Sequence, residues 1–175
     1  GAQTQTITVT TSGSYSVTVT NASGCSTTSA AEAVTVNPLP TVAAITGSPD
    51  VCVGSTTTLA SSTTGGVWST SDATVADVSA SGVVTGVSTG SATITYTVTD
   101  GSGCINSTSA SVTVNAAPTA TVTASGATTF CAGGSVDLTA NAGTSYLWSN
   151  GAQTQTITVT TSGSYSVTVT NASGC

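Results

Sequence analysis

The first 25 residues of the chain, GAQTQTITVTTSGSYSVTVTNASGC, recur without a change at residues 151–175. Identity over this length excludes chance, and the offset between the two copies sets a repeat period of 150 residues. Internal repetition constrains architecture more than any other sequence feature, because repeated units fold alike and stack on their neighbours. We therefore interpret the 175 residues as one full period and the beginning of the next, and we expect a longer tandem array.

Apolar and hydroxyl side chains alternate along most of the period. In SYSVTVT, for example, Tyr15, Val17 and Val19 fall on one face, and ATITYTVT at 92–99 and SASVTVN at 109–115 repeat the pattern. Alternation with period two is typical of strands that bury one face, and it argues against the disorder that a chain rich in Ser, Thr and Gly could otherwise show. Gly or Ser-Gly turns recur every 8–12 residues. The pattern predicts an all-β fold of sandwich domains.

The period divides into two related domain types. Each type has a Cys followed by Gly, a strand that ends near a Leu, a Trp, and a closing corner, which reads TVTDGSGC at 97–104 and TVTNASGC at 168–175. Two short Pro-containing segments, VNPLPTV at 36–42 and VNAAPTATV at 114–122, separate the domains and are predicted to be stiff joints. The predicted domains are the C-terminal part of type 1 at 1–37, a complete type 2 at 41–115, and the N-terminal part of type 1 at 118–175.

The charge composition excludes several classes of function. The chain has no Lys, Arg or His, and its six scattered acids give a net charge of −6. Without cations it cannot neutralise phosphates, so we expect no nucleic-acid binding and no attraction to anionic lipid. No apolar run approaches the roughly 18 residues that a membrane span needs, so no membrane insertion is expected.

Catalytic and metal-binding patterns are also missing from the sequence. A hydrolase needs a nucleophile with a base, or paired carboxylates, and only Asp72 and Asp77 lie close in sequence. We expect no enzyme, no cofactor and no metal site. Calcium bound by Asp72, Asp77 or Asp100 is an alternative, although their spacing matches no loop motif. The three N-x-S/T triplets, at Asn21, Asn106 and Asn171, are expected by chance in a chain of which Thr is about a quarter.

The five cysteines follow the repeat. Cys52 and Cys104 occupy the same two places in the complete domain that Cys131 and Cys175 occupy in the next, which predicts Cys52–Cys104 and Cys131–Cys175 disulfides. Cys25 is the counterpart of Cys175, so we expect its partner before residue 1. Each bridge would close a loop of roughly 50 residues, contribute about 4 kcal/mol, and place the protein outside a reducing cytosol. The alternative is a set of reduced, buried cysteines.

Four aromatic residues are candidate core anchors: Trp68, Trp148, Tyr15 and Tyr165. A lone Trp in each domain, with no other aromatic residue close in sequence, is typical of a sandwich core. The alternative for Trp68 and Trp148 is a platform on which sugar rings stack.

The segment VWSTSDATVADVSASGVVTGVSTGSATITYTV at 67–98 is similar to the group 2 bacterial immunoglobulin-like family, with GVVTG and GSATIT carrying the resemblance. The other domain, from CAGGSVDLTANAG to NASGC with the following VNPLP, resembles Ig-like or PKD-like repeats of very large Bacteroidota surface proteins. These resemblances imply tandem Ig-like domains in an extracellular stalk or adhesin, often exported by the type IX pathway, without catalytic residues.

Two functions from different classes follow. The first is a structural stalk, filament or adhesin at the cell surface, whose partners are neighbouring repeats or identical chains, with a glycan or surface ligand at an unseen tip. The second is a carbohydrate- or ice-binding module. It would use Thr-rich strand faces such as the T-x-T-x-T rows at 4–8 and 6–10.

Overall fold

The computed structural model of the protein describes residues 3–175. Within this range the chain forms strands and turns, so the predicted all-β fold is confirmed, and no helix there could cross a membrane. The described residues group into two compact units. The smaller comprises residues 3–41 and 99–106, and the larger comprises residues 42–98 and 107–175. The domain boundaries at 37/41 and 115/118 remain predictions.

The smaller unit contains four strands of three residues each, arranged as two antiparallel pairs. In the first pair Gly13 lies opposite Val34, and in the second Thr18 lies opposite Thr28. The strands are β1 (Gly13–Tyr15), β2 (Thr18–Thr20), β3 (Ser26–Thr28) and β4 (Glu32–Val34).

Within the larger unit, residues 42–98 and 107–115 form a two-sheet sandwich that we call the central sandwich. One sheet has the strand order β5-β11-β10-β7, with β5 parallel to β11, and the other has the order β6-β9-β8. Its strands are β5 (Asp50–Cys52), β6 (Thr56–Thr58), β7 (Val67–Thr70), β8 (Ala76–Val78), β9 (Val83–Gly86), β10 (Gly90–Thr99) and β11 (Ile105–Asn115).

Alternating side chains of the long strands fill the core of the central sandwich. Every second residue of β10 from Ala92 to Val98 is buried, as are Val112 and Val114 near the end of β11. The residues between them carry hydroxyl groups and face solvent more than their neighbours do. This burial of one face is what the period-two alternation predicts.

The remainder of the larger unit, residues 118–175, is the C-terminal sandwich. It pairs a three-stranded sheet of order β12-β13-β15 with a two-stranded sheet of order β14-β16. Its core contains Trp148, Ile157 and Val169. The strands are β12 (Val122–Ala124), β13 (Val136–Ala140), β14 (Ser145–Trp148), β15 (Thr156–Val159) and β16 (Val167–Thr170).

Gly82 is the first residue of the GVVTG motif and lies beside Leu59 and Trp68 at the core of the central sandwich. Its φ is 82°, a left-handed conformation that disfavours any residue with a Cβ. A Cβ there would overlap the backbone oxygen of Leu59 and lie 3.1 Å from the indole ring of Trp68. The position therefore requires glycine for two separate reasons.

We predict that Gly82→Ala lowers the free energy of unfolding by about 3 kcal/mol or more, since backbone strain and overpacking add. Gly65→Ala is the matched control, because Gly65 has a φ of 80° but a Cβ added there would meet no heavy atom within 4 Å. The control should lose only about 1–2 kcal/mol. Urea denaturation of both variants measures the difference, and equal losses would contradict the packing argument.

Candidate functional site

Three five-residue corners, which we call the corner loops, have the same hydrogen bonds at residues 21–25, 100–104 and 171–175. In each, the side-chain oxygen of the first residue, Asn21, Asp100 or Asn171, accepts bonds from the backbone N–H groups two and four positions later at 2.8–3.0 Å. The fourth residue is a glycine with φ between 79° and 85°. This geometry presents the fifth residue, a cysteine, in the same way each time.

Two further cysteines begin tight turns, which we call the cysteine turns. The N–H of Ser55 donates to the carbonyl of Cys52 at 2.9 Å, and the N–H of Gly134 donates to that of Cys131 at 3.0 Å. Each turn has a left-handed glycine at its third position. The chain therefore has two kinds of cysteine, one in corner loops and one in cysteine turns.

A disulfide joins one cysteine of each kind, Cys52 and Cys175, with their Cα atoms 5.7 Å apart. Cys52 ends β5 and lies opposite Asn115, the last residue of β11. The Sγ atom of Cys175 lies 3.9 Å from the backbone oxygen of Asn115, and the Asn171 side chain donates to the carbonyl of Ala116 at 2.8 Å. The corner loop of the C-terminal sandwich is thus fixed to the joint that follows the central sandwich.

This bridge shows that the predicted Cys52–Cys104 pairing is wrong. Cys104 directly precedes β11, whereas Cys52 lies beside the last residue of that strand. The eleven residue steps from Cys104 to Asn115 span roughly 36 Å at about 3.3 Å each, and a disulfide requires Cα atoms within about 7 Å. The length of β11 therefore separates Cys104 from the residue that Cys52 lies beside.

The predicted Cys131–Cys175 pairing is wrong for the same reason. Cys131 precedes β13, while the corner loop of Cys175 follows β16. The last residue of β16, Thr170, accepts a bond from the N–H of Thr144 at 2.7 Å, in the loop that follows the other end of β13. The repeat shows which cysteines are equivalent in the two domain types, but it does not show which cysteines lie close together in space.

The remaining cysteines, Cys25, Cys104 and Cys131, are free within residues 3–175. Cys25 and Cys131 are exposed. The Sγ atom of Cys104 lies 3.9 Å from the backbone oxygen of Asn37, the same distance that separates Cys175 from Asn115. Both asparagines end a V-T-V-N sequence, so Cys104 occupies a Cys175-like position without a bridge.

Both tryptophans lie in packed surroundings. Trp148 is 2% exposed, and its Nε1–H donates to the carbonyl of Thr154 at 2.8 Å. Trp68 packs against the core of the central sandwich and against the ring of Tyr96, at 4.6 Å between centroids. The pocket beside Trp68 has a volume of about 190 Å³. Ligand sites usually exceed about 300 Å³, so this pocket does not favour a sugar platform.

The two candidate tyrosines make the same local bond in both copies of the repeat. The hydroxyl of Tyr15 donates to the carbonyl of Thr11 at 2.9 Å, and that of Tyr165 donates to the carbonyl of Thr161 at 3.1 Å. A Tyr that bonds back to the chain before a late strand resembles the tyrosine corner of Ig-like sandwiches. Tyr165 also packs against a hydrophobic core.

The acids considered for calcium have local partners. The pKa of the Asp72 carboxyl is lowered from 3.8 because the hydroxyl and N–H of Thr74 donate to it at 2.6 and 2.9 Å. Asp77 accepts a bond from the N–H of Val78, and Asp100 holds its corner loop. Residues 3–175 contain no group of three or more His, Cys, Asp or Glu that could hold a metal ion.

The Thr rows do not form one regular face. In the first copy, residues 4–10 lie outside the strands, and in the second copy the matching strand β15 has only four residues. There the hydroxyl of Thr156 lies 3.0 Å from that of Thr139, and Thr158 donates to Asp137 at 2.7 Å. These hydroxyls therefore already have partners across the sheet.

The amide nitrogens of two N-x-S/T triplets are also engaged. Asn106 donates to the carbonyl of Pro40 at 2.9 Å, and Asn171 donates to that of Ala116. A glycan on either nitrogen would replace one hydrogen of an amide group that already donates to a joint.

Part of the chain matches the model of a known protein family. Residues 30–109 match the family model of the bacterial Ig-like domain (group 2). This range contains the GVVTG motif and most of the central sandwich. A search of curated proteins gave no match.

We predict that digestion with a protease that cleaves before Asp, without reducing agent, yields residues 50–71 linked to residues 137–175. The digest discriminates because Cys104 and Cys131 both fall in the fragment 100–136. Mass spectrometry identifies the linked pair. A product that contains fragment 100–136 bonded to either of the others would contradict the Cys52–Cys175 bridge.

Proposed function

Since residues 30–109 are a bacterial Ig-like domain of group 2, we propose that this chain is part of an extracellular stalk, filament or adhesin built from tandem Ig-like repeats. Ig-like domains of this kind have a structural or adhesive role and are generally not catalytic. The observation that carries the proposal is the Cys52–Cys175 bridge, which links consecutive sandwiches at the joint between them.

The bridge changes how the chain would carry tension. Cys52 and Cys175 are 123 residues apart in sequence, so a pull on the two ends of the chain passes from Cys52 directly to Cys175. The intervening residues, which include most of both sandwiches, then lie inside a covalent loop and are not stretched. A stalk gains from such an arrangement because its domains stay folded under load.

The disulfide also supports a location of the protein outside the cytosol. Disulfides persist in oxidising compartments and are rare where thiols are kept reduced. A surface rich in hydroxyl groups, with 3% charged residues, fits an exposed structural element better than a catalytic one. The resemblance of the second domain type extends this proposal to Bacteroidota surface proteins exported by the type IX pathway, with a glycan or surface ligand bound at the tip.

In a tandem array every joint would be linked in this way. The corner-loop cysteine of each domain would bond to the cysteine turn of the domain before it, as Cys175 bonds to Cys52. Cys131 would then pair with the next copy of Cys104, and Cys25 with the preceding copy of Cys52. The position of Cys104 beside Asn37 supports this pattern, because it reproduces the position of Cys175 beside Asn115.

The function is tested by immunogold electron microscopy of intact source cells with an antibody raised against this chain. We expect gold particles outside the cell envelope, arranged along stalks or filaments. Sectioned and permeabilised cells serve as the control. Labelling confined to the cytoplasm would contradict both the location and the structural role.

The linked-joint pattern is tested by counting thiols in a longer protein. The 175-residue chain should show three free thiols in denaturant. Adding one more 150-residue period adds four cysteines, and the count should stay at three because two further bridges form. A count of five would mean that only the Cys52–Cys175 type of bridge exists, and that Cys131 and Cys104 do not pair across joints.

A further inference from the structure

The cysteines divide the chain into segments of two kinds. From a corner loop to the next cysteine turn the chain has 27 residue steps both times, from Cys25 to Cys52 and from Cys104 to Cys131. We call these the joint segments, because each contains one Pro-containing joint. From a cysteine turn to the next corner loop, the body segments have 52 steps, up to Cys104, and 44 steps, up to Cys175. The joint segments therefore have one length, and the body segments do not.

Linked joints would connect the joint segments into continuous covalent lines. Cys52 is bonded to Cys175, which is the next copy of Cys25, so one joint segment ends where the following copy of the same segment begins. In the linked-joint pattern Cys131 is bonded in the same way to the next copy of Cys104. Two such lines, which we call the threads, then run through the array. Each joint is crossed by the backbone of one thread and by a disulfide of the other.

The structure places parts of the two joint segments side by side. The end of β11 belongs to one segment and β5 to the other, and the two strands pair in parallel, with Thr113 opposite Asp50 and Asn115 opposite Cys52. The N–H of Val53 extends this pairing by donating to the carbonyl of Asn115 at 3.0 Å. Parallel strands of threads with equal length stretch together, so a pull along the array would not slide one strand past the other.

The cysteine turn after β5 is also fixed to the second sheet of the central sandwich. The N–H of Gly54 donates to the carbonyl of Gly86 at 2.8 Å, and the N–H of Gly86 donates to that of Ser55 at 3.0 Å. A Cβ added to Gly86 would lie 2.6 Å from the carbonyl oxygen of Cys52, so the turn and the end of β9 are in close contact. A load that reaches Cys52 through the disulfide is therefore held by both sheets.

We propose that the two threads share the tension on the array, so that the joint segments limit its extension and the body segments stay folded under load. This inference deepens the proposed function and rests on the linked joints described there. A fully extended joint segment spans about 97 Å at about 3.6 Å per residue. The bridge adds 5.7 Å between Cα atoms, so a period with intact bridges extends to about 100 Å at most.

Equal lengths are what sharing of the load requires. If one joint segment were longer, the other thread would become taut first and would carry the whole tension. The body segments carry none of it, so they need no common length. Common ancestry of the two domain types relates the body segments as much as the joint segments, and it does not explain why only the joint segments agree in length.

The test is single-molecule force spectroscopy on the chain lengthened by two and by three further 150-residue periods, held at its ends. The difference between the two lengths gives the extension per period without the contribution of the ends. We expect a limit of about 100 Å per period with intact bridges. With a reducing agent all 150 residues of a period can extend, to about 540 Å, which is about a fivefold increase.

Cysteine variants test whether there are two threads. Replacing Cys25 and Cys52 by Ser in every copy removes one thread, and replacing Cys104 and Cys131 removes the other. Either pair of replacements alone should leave the limit at about 100 Å per period, because one thread remains. Both pairs together should raise the limit to about 540 Å without a reducing agent. Release of the body segments by either pair alone would overturn the proposal.

Insertions test which segments bear the load. About 20 Gly and Ser residues inserted after both Leu39 and Ala117 lengthen both threads and should raise the limit of the bridged array by about 70 Å per period. The matched control places the same insertions in the body segments, after Thr64 and Ser162. The control should leave the limit of the bridged array unchanged and should lengthen only the reduced array. A bridged array that lengthens equally in both cases would contradict load-bearing joint segments.

The outcome separates the threads from the stalk on which the proposal rests. Gold labelling confined to the cytoplasm would refute the stalk, whereas the limit of about 100 Å per period would still support the threads. Labelled filaments together with a constant thiol count would support the stalk and its linked joints. Extension of that same bridged array to several hundred ångströms per period would then overturn the threads alone.

Discussion

The parallel pairing between β5 and the end of β11 is the interaction on which the linked joint depends. It places Cys52 beside Asn115, where the central sandwich ends and the joint begins. Without this pairing the cysteine turn would not lie within reach of a corner loop from the following sandwich. The corner loop adds its own support through the bond from Asn171 to Ala116, so the disulfide closes a contact that hydrogen bonds already define.

The two copies of the repeated 25 residues show how strongly a strand depends on its neighbours. Ile7 and Val19 are 48% and 60% exposed, whereas the same residues in the second copy, Ile157 and Val169, are 6% and 5% exposed. The second copy follows β12, β13 and β14, which supply the opposing sheet and the pairing partners. Alternation gives a strand one apolar face. That face is buried only where the preceding strands form a sheet for it to pack against.

The near absence of charge has consequences for the surface as well as for function. Cross-strand hydroxyl pairs, such as Thr18 with Thr28 and Ser91 with Ser111, take the place that ion pairs occupy in most soluble domains. Such pairs stabilise a sheet without repelling another sheet edge.

The sequence by itself determined the fold class, the strand alternation and the 150-residue period, because these depend on side-chain pattern and on identity between segments. It also indicated the corner loops, since an Asn or Asp two residues before Ser-Gly-Cys is a local turn signal. The group 2 Ig-like match agrees with the motif around Gly82. All of these are local or repetitive properties, which are visible along the chain without knowledge of its folding.

The cysteine pairing was decided only by the tertiary structure. The sequence showed which cysteines are equivalent, but Cys52 and Cys104 are separated by the length of β11, and a linear pattern does not say at which end of a sandwich a residue lies. Long-range proximity depends on strand order and direction, and in this chain those were set by the parallel pairing of β5 with β11.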